Sequence, residues 1–387
     1  MRIIINTGKG GVGKSTISAL TSINISKRLK TLLISSDLAH SLSDLFAIKL
    51  TANPTRICEN LYALEINPII ESAKAWQNLN SYLRELVKNN SLNDIQVEEL
   101  LLFPGLEDVF SLLKILEIYK EGKYEVLVVD CGPSAETISL LSTGEKLNNL
   151  ADTLVPLVKR FNSLLGGFIE KKTEVKKPKD IVFDEFVGLA KKLYELEKIL
   201  MNPEITSVRF VTKASKVISN ETFRASTLMN MYGFLTDCVY INMLYPEEIK
   251  NSSYDNLYLE ERENVDRIEE FYPDKRVFKI YMKANEVIGL KELESLNEEI
   301  FSKIYLEEFF TACRTFDIKS EGASKIIEID FKFASDKEVD VRRIGNDLEL
   351  SYLNFKRRFK LPDTLSSRKI SSYSIEDEKL KIVMDYD

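Results

Sequence analysis

Short apolar runs alternate with helical patterns along most of the chain: Arg2 to Asn6, Thr31 to Ser35, Leu61 to Ile66, Val126 to Val129, Ser207 to Val211, Val239 to Ile241 and Val277 to Ile280. Such alternation predicts a mostly parallel sheet covered by helices. Most of these runs are apolar at every position, as strands buried on both faces are. Two stretches inside this region lack strand signals and read as amphipathic helices. One spans about residues 69–116, with Trp76, Leu79, Leu83 and Leu86 at helical spacing, and the other about residues 147–200. They predict a helical subdomain inserted into the sheet order, whose apolar faces either pack on the core or form a groove for a client. The resulting α/β domain covers residues 1–310.

The pattern changes at about Ser324. Ile327, Ile329, Phe331 and Phe333 share one parity, with Glu328, Asp330 and Lys332 on the other. Period two with one polar face predicts antiparallel strands. Leu348-Leu350-Tyr352, Phe359-Leu361 and Leu380-Ile382-Met384 continue it, divided by the turn signals Gly345-Asn346-Asp347 and Leu361-Pro362-Asp363. A small all-β sandwich over 324–387 is therefore expected. The 387 residues accommodate both parts, since single cores stop growing near ~250–300 residues.

Composition narrows the function classes. With 44% hydrophobic and 29% charged residues the chain is far from the composition of disorder. A net charge of −7 argues against a large nucleic-acid footprint, which needs clustered Lys and Arg. The four cysteines, Cys58, Cys131, Cys238 and Cys313, form no C-x-x-C pair and read as reduced thiols. Met1 to Asn6 runs straight into a strand, without the layout of an export signal, and no apolar run approaches the ~18 residues of a membrane span. A cytoplasmic protein is expected, with any membrane role exercised through a partner.

Gly8-Lys9-Gly10-Gly11-Val12-Gly13-Lys14-Ser15 fits G-x-x-x-x-G-K-[ST] between the first strand and a helix. Such a loop gives a triphosphate converging backbone N–H groups, a helix N-terminus, a cation and a hydroxyl to hold Mg²⁺. Gly8-x-Gly10-x-x-Gly13 also fits a dinucleotide fingerprint, with Asp37 where a ribose-binding acid would sit. Lys14 and Ser15 favour ATP, because a pyrophosphate bound by backbone alone needs neither. Asp130, directly after an apolar strand, is placed to hold Mg²⁺ through water. Lys9 is an additional cation, poorly placed for the phosphates of its own loop. Its position suggests a site shared between two subunits, against the alternative of a solvated surface lysine.

With Lys9 included, Gly8 to Thr16 resembles the signature of the ArsA-type ATPases, a family that includes the arsenite-efflux ATPase and the eukaryotic targeting factor for tail-anchored membrane proteins. Ser36-Asp37-Leu38-Ala39-His40-Ser41-Leu42-Ser43-Asp44 is similar to its switch I, Phe103-Pro104-Gly105-Leu106-Glu107-Asp108 to its P-G-[IL]-[DE]-[DE] segment, and Asp130 to Thr137 to its switch II. Tyr240 to Pro246 resembles the adenine-binding V-N-x-x-x-P stretch, placing Asn242 at the nucleotide, and Asn285 to Leu290 the E-V-x-G-L segment. Phe331 to Met384 resembles the α-crystallin-type module of many bacterial ArsA-like proteins, through Phe333 to Asp340 and the Arg357 to Pro362 turn. Leu38 stands where the family has Pro, and Cys131-Gly132 and Ser134-Ala135 replace Thr-Ala and Thr-Gly. The zinc-binding C-x-x-C of the targeting factor and the arsenite-binding cysteine set of the pump ATPase are missing.

The resemblance implies a Mg²⁺-dependent homodimeric P-loop ATPase. The backbone from Gly8 to Thr16 would hold phosphate, Lys14 and Lys9 would stabilise the transferring group, and Ser15 and Asp130 would serve Mg²⁺, with Asp37 either joining them or capping the loop. Asp44 would orient or deprotonate the attacking water, and His40, the sole histidine, would orient the loop. Three roles stay open: an ATPase that handles a hydrophobic client or a membrane-protein targeting substrate, an energising subunit of an anion or arsenite pump, and a nucleotide-gated scaffold that scarcely hydrolyses ATP.

Overall fold

The computed structural model describes residues 1–36, 41–67, 70–71, 77, 81, 106–131, 144, 147–148, 151, 180–251, 253–311 and 316–386. Asp37, Leu38, His40, Trp76, Leu79, Leu83, Leu86, Phe103 to Gly105, Gly132 to Thr137 and Cys313 lie outside the described residues. The chain divides into two compact units: residues 1–65, 124–135 and 200–387 form one, and 66–123 and 136–199 the other.

In the first unit, eight strands form the main sheet: β1 (Arg2–Thr7), β2 (Thr31–Ser35), β3 (Thr55–Arg56), β4 (Leu61–Glu65), β5 (Val126–Asp130), β6 (Thr206–Thr212), β7 (Thr236–Leu244) and β8 (Arg276–Tyr281). Their order is β3-β4-β2-β5-β1-β6-β7-β8. Every pairing is parallel except β3 with β4. The described helices are α1 (Lys14–Ser26), α2 (Ser41–Phe46), α3 (Leu106–Glu121), α4 (Asp180–Leu200), α5 (Lys216–Tyr232), α6 (Asp255–Phe271) and α7 (Leu290–Phe301). β1 lies centrally between β5 and β6, so the loop after it opens at the carboxyl edge of the sheet, where ligands of open α/β sheets bind.

The apolar runs form the strands they predict, but β7 is much longer than Val239 to Ile241. The polar pair Thr236-Asp237 interrupts the hydrophobic signal, yet both residues are fully buried. Asp237 is accommodated because the Arg209 guanidinium meets it twice, Nε to Oδ1 at 2.9 Å and Nη2 to Oδ2 at 3.2 Å. Arg2 adds a contact at 3.3 Å. Arg209 also donates to the carbonyls of Leu306 and Glu308, both at 2.9 Å, and so fastens the segment after α7 to the sheet.

From Ile17 to Ser26 every residue of α1 is buried. Its polar side chains turn back on the backbone or reach α7: Ser22 donates to the Ser18 carbonyl at 2.8 Å, and Asn24 to the Phe301 carbonyl at 3.1 Å. Asn297 answers by donating to the Leu20 carbonyl at 2.6 Å. α1 is thereby tied to α7 by a donor from each helix.

In the second unit, α3 buries Val109, Leu112, Leu113 and Leu116, and α4 buries Val182, Ala190, Leu193 and Leu196, at the spacing of apolar helix stripes. Lys120 of α3 pairs with Glu195 of α4. No helix among the described residues is long and apolar enough to cross a membrane.

The C-terminal part is two antiparallel sheets. β9 (Phe316–Glu321), β10 (Ser324–Asp330), β14 (Lys369–Glu376) and β15 (Lys379–Asp385) make one, in the order β14-β15-β10-β9. β11 (Val339–Ile344), β12 (Asp347–Tyr352) and β13 (Phe355–Lys360) make the other. Ile327, Ile329, Leu348, Leu350, Leu380, Ile382 and Met384 fill the space between, as the alternation predicts. Strand pairing begins before Ser324, because β9 pairs with β10 through a turn at Gly322.

Phe333 departs from the predicted face. β10 ends at Asp330, and Phe333 takes a left-handed φ of 61° and leaves the sandwich. Its ring goes instead to Phe223 of α5, with centroids 5.4 Å apart. The sandwich docks along α5 by further contacts: Thr227 donates to the Lys332 carbonyl, Asn230 to Asp330 Oδ2 at 3.3 Å, Tyr232 to the Lys356 carbonyl at 3.3 Å, and Arg357 to the Met231 carbonyl.

Burial at this junction pushes the Asp330 carboxyl above the usual carboxylate range, with Lys332 and Lys275 opposing. A raised folded value means that the carboxyl favours folding while protonated, and that this contribution is lost as pH rises through the folded value. Asp330→Asn should therefore raise the midpoint of thermal unfolding at pH 7, and the gain should shrink as pH falls into the ordinary carboxylate range. A midpoint lowered at pH 7 would contradict this assignment.

Candidate functional site

The loop from Gly8 to Gly13 turns tightly between β1 and α1, and two glycines are required by their surroundings. A Cβ on Gly8, whose φ is +155°, would lie 2.1 Å from the Val211 carbonyl oxygen of β6. One on Gly13, whose φ is +88°, would lie 2.3 Å from Asn242 Nδ2. Gly13 is the N-cap of α1, and among the described residues no side chain caps this helix. The first amides of α1 therefore face the loop, where the helix dipole and unpaired N–H groups favour an anion. Val12 is fully buried and anchors the turn, and Asn242 Nδ2 donates to its carbonyl at 2.9 Å.

Lys14 opens α1 and its Nζ donates to the Lys9 carbonyl at 3.2 Å, so the cation curls over the loop. Lys9 points elsewhere in the chain, to Glu221 of α5 at 2.6 Å. Both members of that pair are substantially exposed, and such pairs contribute only about 0–1 kcal/mol. Ser15 Oγ and Ser41 Oγ are 2.9 Å apart, which joins the start of α1 to the start of α2. Asp44 is exposed one turn further along α2. Glu65 fixes that helix by accepting from Ser43 N at 2.9 Å and Ser43 Oγ at 2.7 Å, as a carboxylate near a helix N-terminus does.

Thr16, Ser41, Asp44 and Asn242 line a cleft of about 650 Å³ beside the loop, which the stretch from Ile280 to Ile288 also lines. Apolar walls with a few convergent polar groups are what a ligand pocket requires. Gly289 N donates to the Leu45 carbonyl at 2.8 Å, strapping that backbone to α2. Met243, on the cleft wall, holds a left-handed φ of 58° at the irregularity in β7. The sequence-similar stretches around Asn242 and Asn285 to Leu290 thus meet at one pocket.

Asp130 ends β5 and is 2% exposed. Ser18 Oγ donates to its Oδ1 at 3.3 Å and Ser35 Oγ to its Oδ2 at 3.5 Å. The hydroxyl of Ser15 and the carboxylate of Asp130 are hard oxygen donors of the kind that suit Mg²⁺. Ser41 stands in the stretch similar to switch I; Asn6, Ser18 and Glu65 belong to the same carboxyl edge but carry no motif letter. Their only signal in the sequence is polarity at positions where a strand end or buried helix face would be apolar.

Residues 1–302 match the family model described as anion-transporting ATPase, and residues 322–384 that of the HSP20-like domain found in ArsA. Over 402 aligned positions the chain is 31% identical to a putative arsenical pump-driving ATPase of Chlorobaculum tepidum, with 100% of this chain and 96% of the relative covered. It is 28% identical to putative arsenical pump-driving ATPase 1 of Aquifex aeolicus, covering 99% of this chain and 100% of that one. The ATPase get3 of Schizosaccharomyces pombe is 26% identical, over 75% of this chain and 88% of its own.

Proposed function

The chain belongs to the anion-transporting ATPase family and is an ATP hydrolase, and from that premise we propose that Mg-ATP, bound between β1 and α1, drives a cytoplasmic homodimer to open and close around a hydrophobic client or a membrane-protein targeting substrate. The single observation that carries the nucleotide site is the loop geometry: an uncapped helix N-terminus, two glycines that tolerate no side chain, and Lys14 folded over the turn.

In this reading the amides from Gly10 to Thr16 bind the phosphates, and Lys14 exchanges the Lys9 carbonyl for the outer phosphate oxygens. Ser15 and Asp130 hold Mg²⁺, which when bound would neutralise charge on the transferring group. Asp37 belongs to the same metal proposal. Asp44, exposed beside the cleft, orients or deprotonates the attacking water. The purine enters the cleft along Asn242, which keeps its amide on Val12 and so ties pocket to loop. Lys9 leaves Glu221 for the phosphates of a second copy, and the weakness of an exposed pair makes this exchange cheap. The family resemblance and the HSP20-like module support client handling.

A second reading, the energising ATPase of an anion or arsenite pump, is favoured by the names of the bacterial relatives. It is distinguished by stimulation of hydrolysis on adding arsenite or antimonite. The nucleotide site itself is tested by calorimetry of ATP with Mg²⁺. Lys14→Ala should weaken uptake by about 10- to 100-fold, the worth of a hydrogen bond to a charged group. Unchanged affinity would remove Lys14 from the site.

A further inference from the structure

One group of buried polar side chains has no part in the reading above. Asn6 stands near the end of β1, after Ile3, Ile4 and Ile5, and is fully buried. Its Nδ2 donates to Ser18 Oγ at 3.0 Å, while among the described residues its Oδ1 is buried without a hydrogen-bond partner. An unsatisfied buried acceptor costs about 1–3 kcal/mol, and an apolar residue of similar shape would avoid that penalty. An asparagine kept here against its own solvation points to work done by its other half.

That half imposes a direction. The amide nitrogen can only donate, so the Ser18 hydroxyl must accept from it. The one proton of that hydroxyl is then left for Asp130 Oδ1, 3.3 Å away. If an apolar residue stood at position 6, the hydroxyl could rotate and spend its proton elsewhere. Ser18 belongs to α1, the helix whose first turn carries Lys14 and Ser15, so the chain of bonds runs from β1 through the phosphate-loop helix to β5.

We propose that Asn6 and Ser18 are positioning residues for the Asp130 carboxylate: the Asn6 amide turns the Ser18 hydroxyl onto Oδ1 and so fixes the carboxylate in the orientation that serves Mg²⁺ beside bound nucleotide. The inference rests on the reading of Asp130 and Ser15 as the Mg²⁺ site. Neither residue lines the cleft beside the loop, and both act through Asp130.

The test is calorimetry of ADP binding to the full-length chain, once with Mg²⁺ and once with EDTA, for the wild type, Asn6→Val, Ser18→Ala and the double variant. The quantity read is the factor by which Mg²⁺ tightens ADP. Either single substitution should lower it by about 5- to 10-fold, the worth of one hydrogen bond, and leave affinity in EDTA unchanged. The double variant should lose no more than either single one, because both remove the same connection. If Asn6→Val does not fold, Ser18→Ala carries the comparison alone. Equal losses with and without Mg²⁺, full losses that add in the double variant, or an unaltered Mg²⁺ factor would each overturn the proposal. A wild type whose ADP affinity ignores Mg²⁺ would instead bring down the metal site itself, and this inference with it.

Discussion

Asp44→Asn should leave Mg-ATP affinity within about 2-fold of the wild type while turnover falls by about 10²- to 10⁴-fold, the range that a positioned acid or base contributes. Among the described residues the exposed Asp44 makes no side-chain bond that holds the fold, and its backbone is set by α2, which Glu65 anchors through Ser43. Replacing a carboxylate by its isosteric amide changes charge and basicity but hardly shape. In the proposed site, binding of the phosphates depends on the loop and on Lys14, which the substitution does not touch. Steady-state hydrolysis together with calorimetry separates the two effects. Preserved turnover would exclude Asp44 from handling the water, and a parallel loss of affinity would make it a binding residue.

Asp237→Ala should cost about 3–5 kcal/mol of folding stability, because it leaves a fully buried guanidinium without its counter-charge. Arg209 and Asp237 both have no exposed surface, and Asp237 also serves Arg2. Burial and the neighbouring Arg209 push the Arg2 guanidinium down, with Asp237 opposing. Two cations therefore depend on one carboxylate. The carbonyls of Leu306 and Glu308 offer Arg209 dipoles but no charge. Denaturant unfolding of wild type and variant measures the difference, and a loss below about 1 kcal/mol, the level of a surface pair, would contradict it.

These two sites differ in how far they could be read from residues alone. The turn between β1 and α1 was legible because the chemistry proposed for it needs a fixed order of glycine, lysine and serine next to a strand, and the order is itself the signal. The place of Asp130 at the strand end was legible too, because it follows an apolar run. The Arg209 and Asp237 pair was not, since a charged residue in a strand signals exposure until its partner is known, and the partner lies on the neighbouring strand. That pairing is also why β7 extends beyond its apolar run. Asn6 and Ser18 were invisible as a pair because β1 and α1 bring them together only after the loop has formed.

In the C-terminal sheets the alternation identified Ile327, Ile329, Leu380 and Ile382, whose burial follows parity alone. Phe333 shares that parity but not their place. A left-handed turn and the rings of Phe223 and Phe271 decide its position, and those rings are distant in sequence. β14 was missed because Lys369 to Glu376 is mostly polar and pairs with β15 as an edge strand.

The way the sandwich sits on α5 bears on how this gene product could be cut and recombined. Phe223 is 1% exposed and Tyr232 wholly covered, and part of that cover comes from Phe333 and from the strand bearing Lys356. Trimming the chain after the sheet would take the Phe333 ring from Phe223 and the Lys356 carbonyl from Tyr232, on the helix that carries Glu221, the residue holding Lys9. The appended module therefore covers part of the α/β half's own aromatic surface, and swapping or deleting it should disturb the solubility of the half left behind.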